Sequence, residues 1–88
     1  MHNAIKYRGK VINIIRKMLK LSYSEASGRI GISASHFNAI ITGGRSIEKS
    51  RGSTRARYEA LFNEALALPN GPHIFTGLCL SEGVPVDY

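Results

Sequence analysis

The stretch from Tyr23 to Thr42, YSEASGRIGISASHFNAIIT, constrains the fold more than any other part of the chain. Ser22 stands three places before Glu25, the spacing of a capping box. The serine hydroxyl accepts from the Glu25 amide and the carboxylate reaches back to the Ser22 amide, so a helix is expected to start near Tyr23. Ser27 and Gly28 put small groups in its middle, where a second helix is expected to cross at close range. Gly31 breaks the pattern and supplies positive φ at no steric cost. Ser33 is placed to cap the next helix. That helix is expected to run to about Thr42 and stop at Gly43-Gly44. Ile30 and Ile32 flank the corner, while Phe37, Ile40 and Ile41 recur at helical spacing and turn toward a core. Two short helices around a glycine corner make a helix-turn-helix.

The second helix keeps a polar stripe. Ser35, Asn38 and Thr42 are three and four residues apart and share a face, bordered by Ala34, His36 and Ala39. The face is slim, uncharged and rich in hydrogen-bonding groups, as a helix lying in the DNA major groove needs. Asn pairs bidentately with adenine, Ser and Thr pair with several bases, and Ala or a Thr methyl touches the thymine methyl. Those six residues are the expected base contacts. The competing reading is an ordinary helical hairpin with a solvated polar face.

From Val11 to Ser46, about 36 of the 88 residues, the chain resembles the Cro and lambda-repressor-like (XRE-type) helix-turn-helix family. The likeness rests on Ser24 and Glu25 opening one helix, Ser27 at the small position and Ile30-Gly31-Ile32-Ser33 at the turn. Ser35, Phe37, Asn38 and Ile40 on the reading helix and Gly43-Gly44-Arg45-Ser46 after it complete it. The resemblance implies a bundle of helices, dimeric binding to a two-fold operator and control of transcription. Ser27 stands where the family usually carries alanine, and a basic linker follows Ser46 where the family goes quickly into a further helix.

Charge supports a polyanionic partner separately. All 12 Lys and Arg lie in residues 1–57 with only two acids, Glu25 and Glu48, a net of +10. Residues 58–88 hold four acids and no cation, a net of −4, which leaves the stated +6. A segregated basic half gains affinity for phosphates through counterion release. Charge kept for solubility alone is the competing explanation. Lys6 and Arg8 on a basic arm (residues 1–9), Ser24 and Ser33 at helix starts, and Arg45, Arg51 and Arg55 after the motif are the expected phosphate contacts. The arm alternatively forms a short extra turn or a solvated tail. Cations at the start of a helix oppose its dipole; for Arg51, Arg55 and Arg57 a phosphate or plain solvation offsets that.

The remaining segments follow from periodicity. Val11, Ile12, Ile15, Met18 and Leu19 mark one face of a first helix over about 10–21, with Ile14 widening it and Arg16, Lys17 and Lys20 outside it. Ser53 or Thr54 is expected to cap a long helix ending near Leu68, with Tyr58, Leu61, Phe62, Ala65 and Leu66 as its core stripe. Asn70-Gly71-Pro72 reads as a stop. In the tail, Ile74, Thr76, Leu78 and Leu80 alternate with Phe75, Gly77 and Cys79, which predicts a short strand or an extended segment. That segment either wraps its own bundle or serves self-association.

One domain of 88 residues is therefore expected: an all-α helical bundle with a helical core over 10–68 and a tail over 69–88, with a short strand or extended segment in that tail. The single cysteine, Cys79, allows no internal disulfide and fits a reducing cytoplasm; its apolar neighbours suggest a buried thiol. No apolar run reaches the roughly 18 residues of a membrane span. His2, His36 and His73 are far apart, and no metal-binding, P-loop or nucleophile-elbow spacing occurs, so neither enzyme activity, metal nor cofactor is expected. The expected function is a sequence-specific transcriptional regulator, a homodimeric repressor of phage or mobile-element type on an inverted repeat, acting in the cytoplasm at the nucleoid. The alternatives are an antitoxin-like module that also holds a partner protein through its tail, and an excisionase-like architectural DNA binder. RNA is disfavoured, because no aromatic stacking surface is evident.

Overall fold

Why the chain turns where it does is largely a matter of its helix ends. The structure, a computed structural model, describes residues 6–43, 47 and 52–84. Among these lie five helices and no strand: α1 (Gly9–Met18), α2 (Tyr23–Ile30), α3 (Ala34–Ile41), α4 (Gly52–Leu66) and α5 (Gly71–Ser81). The fold is an all-α bundle measuring 29 × 22 × 21 Å.

The central element is α1. Val11, Ile12, Ile14, Ile15 and Met18 are all buried, so Ile14 does widen the apolar stripe. The helix stops earlier than its periodicity predicts. Lys20 adopts a left-handed conformation (φ 57°), and the Leu21 amide donates to the Arg16 carbonyl at 3.1 Å. This is the C-terminal pattern usually carried by glycine, here set in lysine. It frees Ser22 to cap α2. Ser22 Oγ accepts from the Glu25 amide at 3.0 Å, and the Ser22 amide donates to Glu25 Oε1 at 2.8 Å. Gly31 (φ 86°) ends α2, and Ser33 Oγ accepts from the His36 amide at 3.1 Å to begin α3. The helix-turn-helix corner is thus held by the very residues whose spacing predicts it.

At the crossing, Ser27 is buried and its hydroxyl donates to the Ser24 carbonyl at 3.0 Å. Gly28 differs from expectation: it is exposed and a Cβ there would meet open space. One residue beyond Ser27, a rotation of about 100° carries it off the buried face, so Ala26 and Ser27 are the small residues buried there instead.

In α4, Tyr58, Leu61, Phe62 and Ala65 face the core as expected. Ser53 and Thr54 do not precede this helix but lie in its first turn, and the helix ends at Leu66 rather than near Leu68.

The tail is the main departure. The expected strand or extended segment is helix α5. Gly71, Phe75 and Cys79, four residues apart, are its buried face. The alternating set includes Ile74 and Leu80, which are exposed. A short apolar run satisfies either period, and packing chose the helical one. Asn70-Gly71-Pro72 is a start as well as a stop: Asn70 is left-handed (φ 59°) and Pro72 occupies the first helical turn, where its missing N–H costs nothing. A Cβ on Gly71 would lie 2.6 Å from the Leu66 carbonyl oxygen, so the two helices meet backbone to backbone. Phe62 and Phe75 then pack edge to face at 5.7 Å. The Cys79 thiol is buried, which pushes its pKa up and keeps it protonated.

Candidate nucleic-acid interface

α3 is held at both ends and left open on one side. Phe37 and Ile40 anchor it in the core, and Tyr23 at the start of α2 packs edge-on against Phe37 at 5.7 Å. Its C-terminal end meets the start of α1. A Cβ on Gly9 would collide with the carbonyl oxygens of Ile40 and Ile41, the latter at 2.8 Å. Only glycine lets the positive end of α1 seat on the carbonyl end of α3.

The outward side carries the sequence-predicted reading residues. Ala34, Ser35, Asn38 and Thr42 are exposed, while His36 and Ala39 are half-buried at the border. The side chains of Ser35, His36 and Asn38 have no hydrogen-bond partner among the described residues. Thr42 is different. Its hydroxyl donates back to the Asn38 carbonyl at 2.9 Å, so its methyl and oxygen lone pairs are what it offers outward. Ser33, Ser35, His36 and Ala39 together line a shallow open notch on this face.

The charges around α3 are arranged by long-range contacts. Among the described residues every acid is engaged. Glu25 closes the capping box, Glu59 accepts from the Tyr7 hydroxyl, Glu64 pairs with Arg29 on α2, and Glu82 lies 3.8 Å from Lys17. Hydrogen bonds from the Ser22 amide and hydroxyl hold the Glu25 carboxyl below its ordinary pKa, and the Tyr7 hydroxyl does the same for Glu59. Arg57 lies across the corner before α3, its guanidinium 2.7 Å from where a Cβ of Gly31 would stand. At the other end Arg8 and Lys10 line a groove with Ile41, Thr42 and Gly43. An uncharged helix therefore runs between cations at both of its ends.

The expected phosphate contacts are distributed unevenly. Arg8 flanks the end of α3, and Ser24 and Ser33 are exposed at the starts of α2 and α3. Arg55 is exposed in the first turn of α4 beside Glu59. Lys6 is not on a free arm. Its ammonium lies 5.3 Å from the Phe62 ring centre, and its carbonyl accepts from the buried Tyr58 hydroxyl. Burial holds that phenol protonated, well above its ordinary pKa. Arg45 and Arg51, like residues 1–5 of the expected arm, lie outside the described residues. Arg16 is turned inward, donating to Asn13 Oδ1 and the Leu21 carbonyl at 2.8 Å each and stacking over Tyr23 at 4.6 Å.

Sequence spacing singles out neither Arg57 nor Lys10 as a neighbour of α3. Arg57 reaches the Gly31 corner and Lys10 the end of α3 from helices that are adjacent only in the fold, and no local signal carries that information.

Among the described residues, no helix is long and apolar enough to cross a membrane, and no group of three or more His, Cys, Asp or Glu could hold a metal. Compared with protein-family models, curated proteins and solved structures, the chain matches none.

Proposed function

We propose that this chain is a sequence-specific DNA-binding regulator of transcription, acting as a homodimeric repressor on an inverted-repeat operator. The observation that carries the reading is the uncharged, hydrogen-bonding face of α3 bracketed by Arg57 at one end and Arg8 and Lys10 at the other. A duplex presents the matching pattern: neutral base edges in the major groove between two phosphate backbones. In this reading Ser35, His36, Asn38 and Ala39 meet base edges, with Ala34 and the Thr42 methyl beside them. Arg8, Arg57, Ser24 and Ser33 set the register on phosphates.

Dimerisation is supported by α5, where Ile74 and Leu80 are 44% and 67% exposed and Gly77 between them is open. To read an inverted repeat, two copies joined there must hold their α3 helices about 34 Å apart, one DNA turn. Leu80→Glu is expected to turn a dimer into a monomer by gel filtration. A wild-type chain that is already monomeric would favour a different protein on that face.

The test of DNA reading is selection from a random duplex library, followed by titration of the best site across salt. An enriched inverted repeat with a steep salt slope supports the proposal. Asn38→Ala is then expected to reduce discrimination between operator and random DNA by about 1–3 kcal/mol, whereas Arg57→Ala weakens both alike. Salt-sensitive binding with no enriched sequence would replace the regulator by an architectural binder.

A further inference from the structure

The notch on α3 has a specific chemistry. Ser35 and Ala39 are one helical turn apart, and so are His36 and Ala39, so the small Ala39 side chain forms a floor between two larger polar groups. The floor is a single methyl. The rim is made of the Ser33, Ser35 and His36 side chains. Ser33 Oγ already accepts from the His36 amide, so its hydrogen is free to point outward. Ser35 and the His36 ring have no partner among the described residues, so the rim offers hydrogen-bond donors around an apolar floor.

We infer that this notch seats the C5-methyl group of a thymine, with Ser35 or His36 donating to the adjacent O4. The inference rests on the DNA-reading proposal and names the base pair that this part of the helix selects. Thymine alone places a methyl beside an acceptor in the major groove. Cytosine offers an amino donor and a bare C5, and the purines offer N7 with no methyl. A guanine or adenine would meet the rim but leave the floor empty. Charge fits the same partner, since the notch holds no Lys, Arg, Asp or Glu and lies on the helix with Arg57 before it and Arg8 and Lys10 at its end. Asn38, one residue before Ala39 and three after Ser35, reaches a neighbouring position and reads it separately.

The experiment takes the selected operator and replaces its thymines one at a time by deoxyuridine, which removes only the methyl. With the wild-type chain one position per half-site is expected to lose about fourfold in affinity, the value of one buried methyl-sized group. Placing 5-methylcytosine at that position, in a pair with guanine, is expected to bind more tightly than unmodified cytosine. Ala39→Val raises the floor where the methyl would sit, and in that variant the thymine preference is expected to vanish or reverse, with thermal unfolding showing that the fold is kept. Sequence-specific binding that is indifferent to every thymine methyl overturns this inference and leaves the regulator reading standing. A library in which nothing enriches overturns both. The deoxyuridine series uses the wild-type chain, so the inference stays testable if the variant does not fold.

Discussion

The α2–α3 pair and the α4–α5 pair are both helical hairpins, but they are held together by opposite means. In α2–α3 the ends carry their own solutions: Ser22 with Glu25, Gly31, and Ser33 all satisfy backbone groups within four residues of themselves. In α4–α5 the joint has no side-chain cap. Asn70 is strained into the left-handed region, and the start of α5 rests on the carbonyls of Ala65 and Leu66. What fixes α5 is the packing of Phe75 and Cys79 into the core. Helices that fix their own ends can afford a solvent-facing side; the hairpin fixed by packing commits one side to the core and leaves Ile74 and Leu80 outside.

That contrast can be broken most forcefully in α5. Phe75→Ala is expected to cost about 3–5 kcal/mol in urea unfolding, with loss of α5 helicity. Ile74→Ala on the exposed side, made in the monomeric Leu80→Glu chain so that no dimer contact is removed, is expected to change stability by no more than about 0.5 kcal/mol. Equal costs for the two would show that α5 is not held by its buried face.

A smaller effect is expected where α1 supports α3. Gly9→Ala puts a methyl against the Ile40 and Ile41 carbonyls, an overpacking worth about 1–3 kcal/mol. Because the shift falls on the end of α3, operator affinity is expected to drop further than affinity for random DNA, measured by competition binding.

The locally capped pair yields a smaller number still. Ser22→Ala is expected to cost about 1 kcal/mol. The acid limb tests the same box. Glu25 has its folded pKa depressed, as does Glu59, so the stability each contributes is present above the ordinary value of 4.5 and is lost as pH falls through the folded value. Denaturation curves at falling pH are expected to show this loss. Glu25→Gln is expected to flatten only part of it, because Glu59 remains.

The smallest effect is a gain. Lys20 sits at φ 57°, so Lys20→Gly is expected to raise stability by about 0.5–1 kcal/mol. An unchanged midpoint would mean that the lysine relaxes there without strain.

The corner at Gly31, the capping box, the Ser33 cap and the core stripes of α1 and α4 could all be read from the chain, because each depends on residues within a turn or two of one another. The outward face of α3 was legible for the same reason: once Phe37 and Ile40 point inward, 3.6 residues per turn assigns Ser35, Asn38 and Ala39 to the other side. Other features were decided only in three dimensions. The tail satisfied two periods, and only a place for Phe75 against Phe62 selected the helix. Lys6 looked like part of an arm until the Tyr58 hydroxyl and the Phe62 ring captured it. Thr42 looked free until its hydroxyl turned back on its own helix. Arg57 reaches the Gly31 corner and Lys10 the end of α3 from helices distant in sequence, while Glu64 and Glu82 are occupied by cations from other helices. A sequence determines what neighbours along the chain can do for each other. Which distant groups meet, and hence which cations come to stand beside α3, depends on how the helices pack.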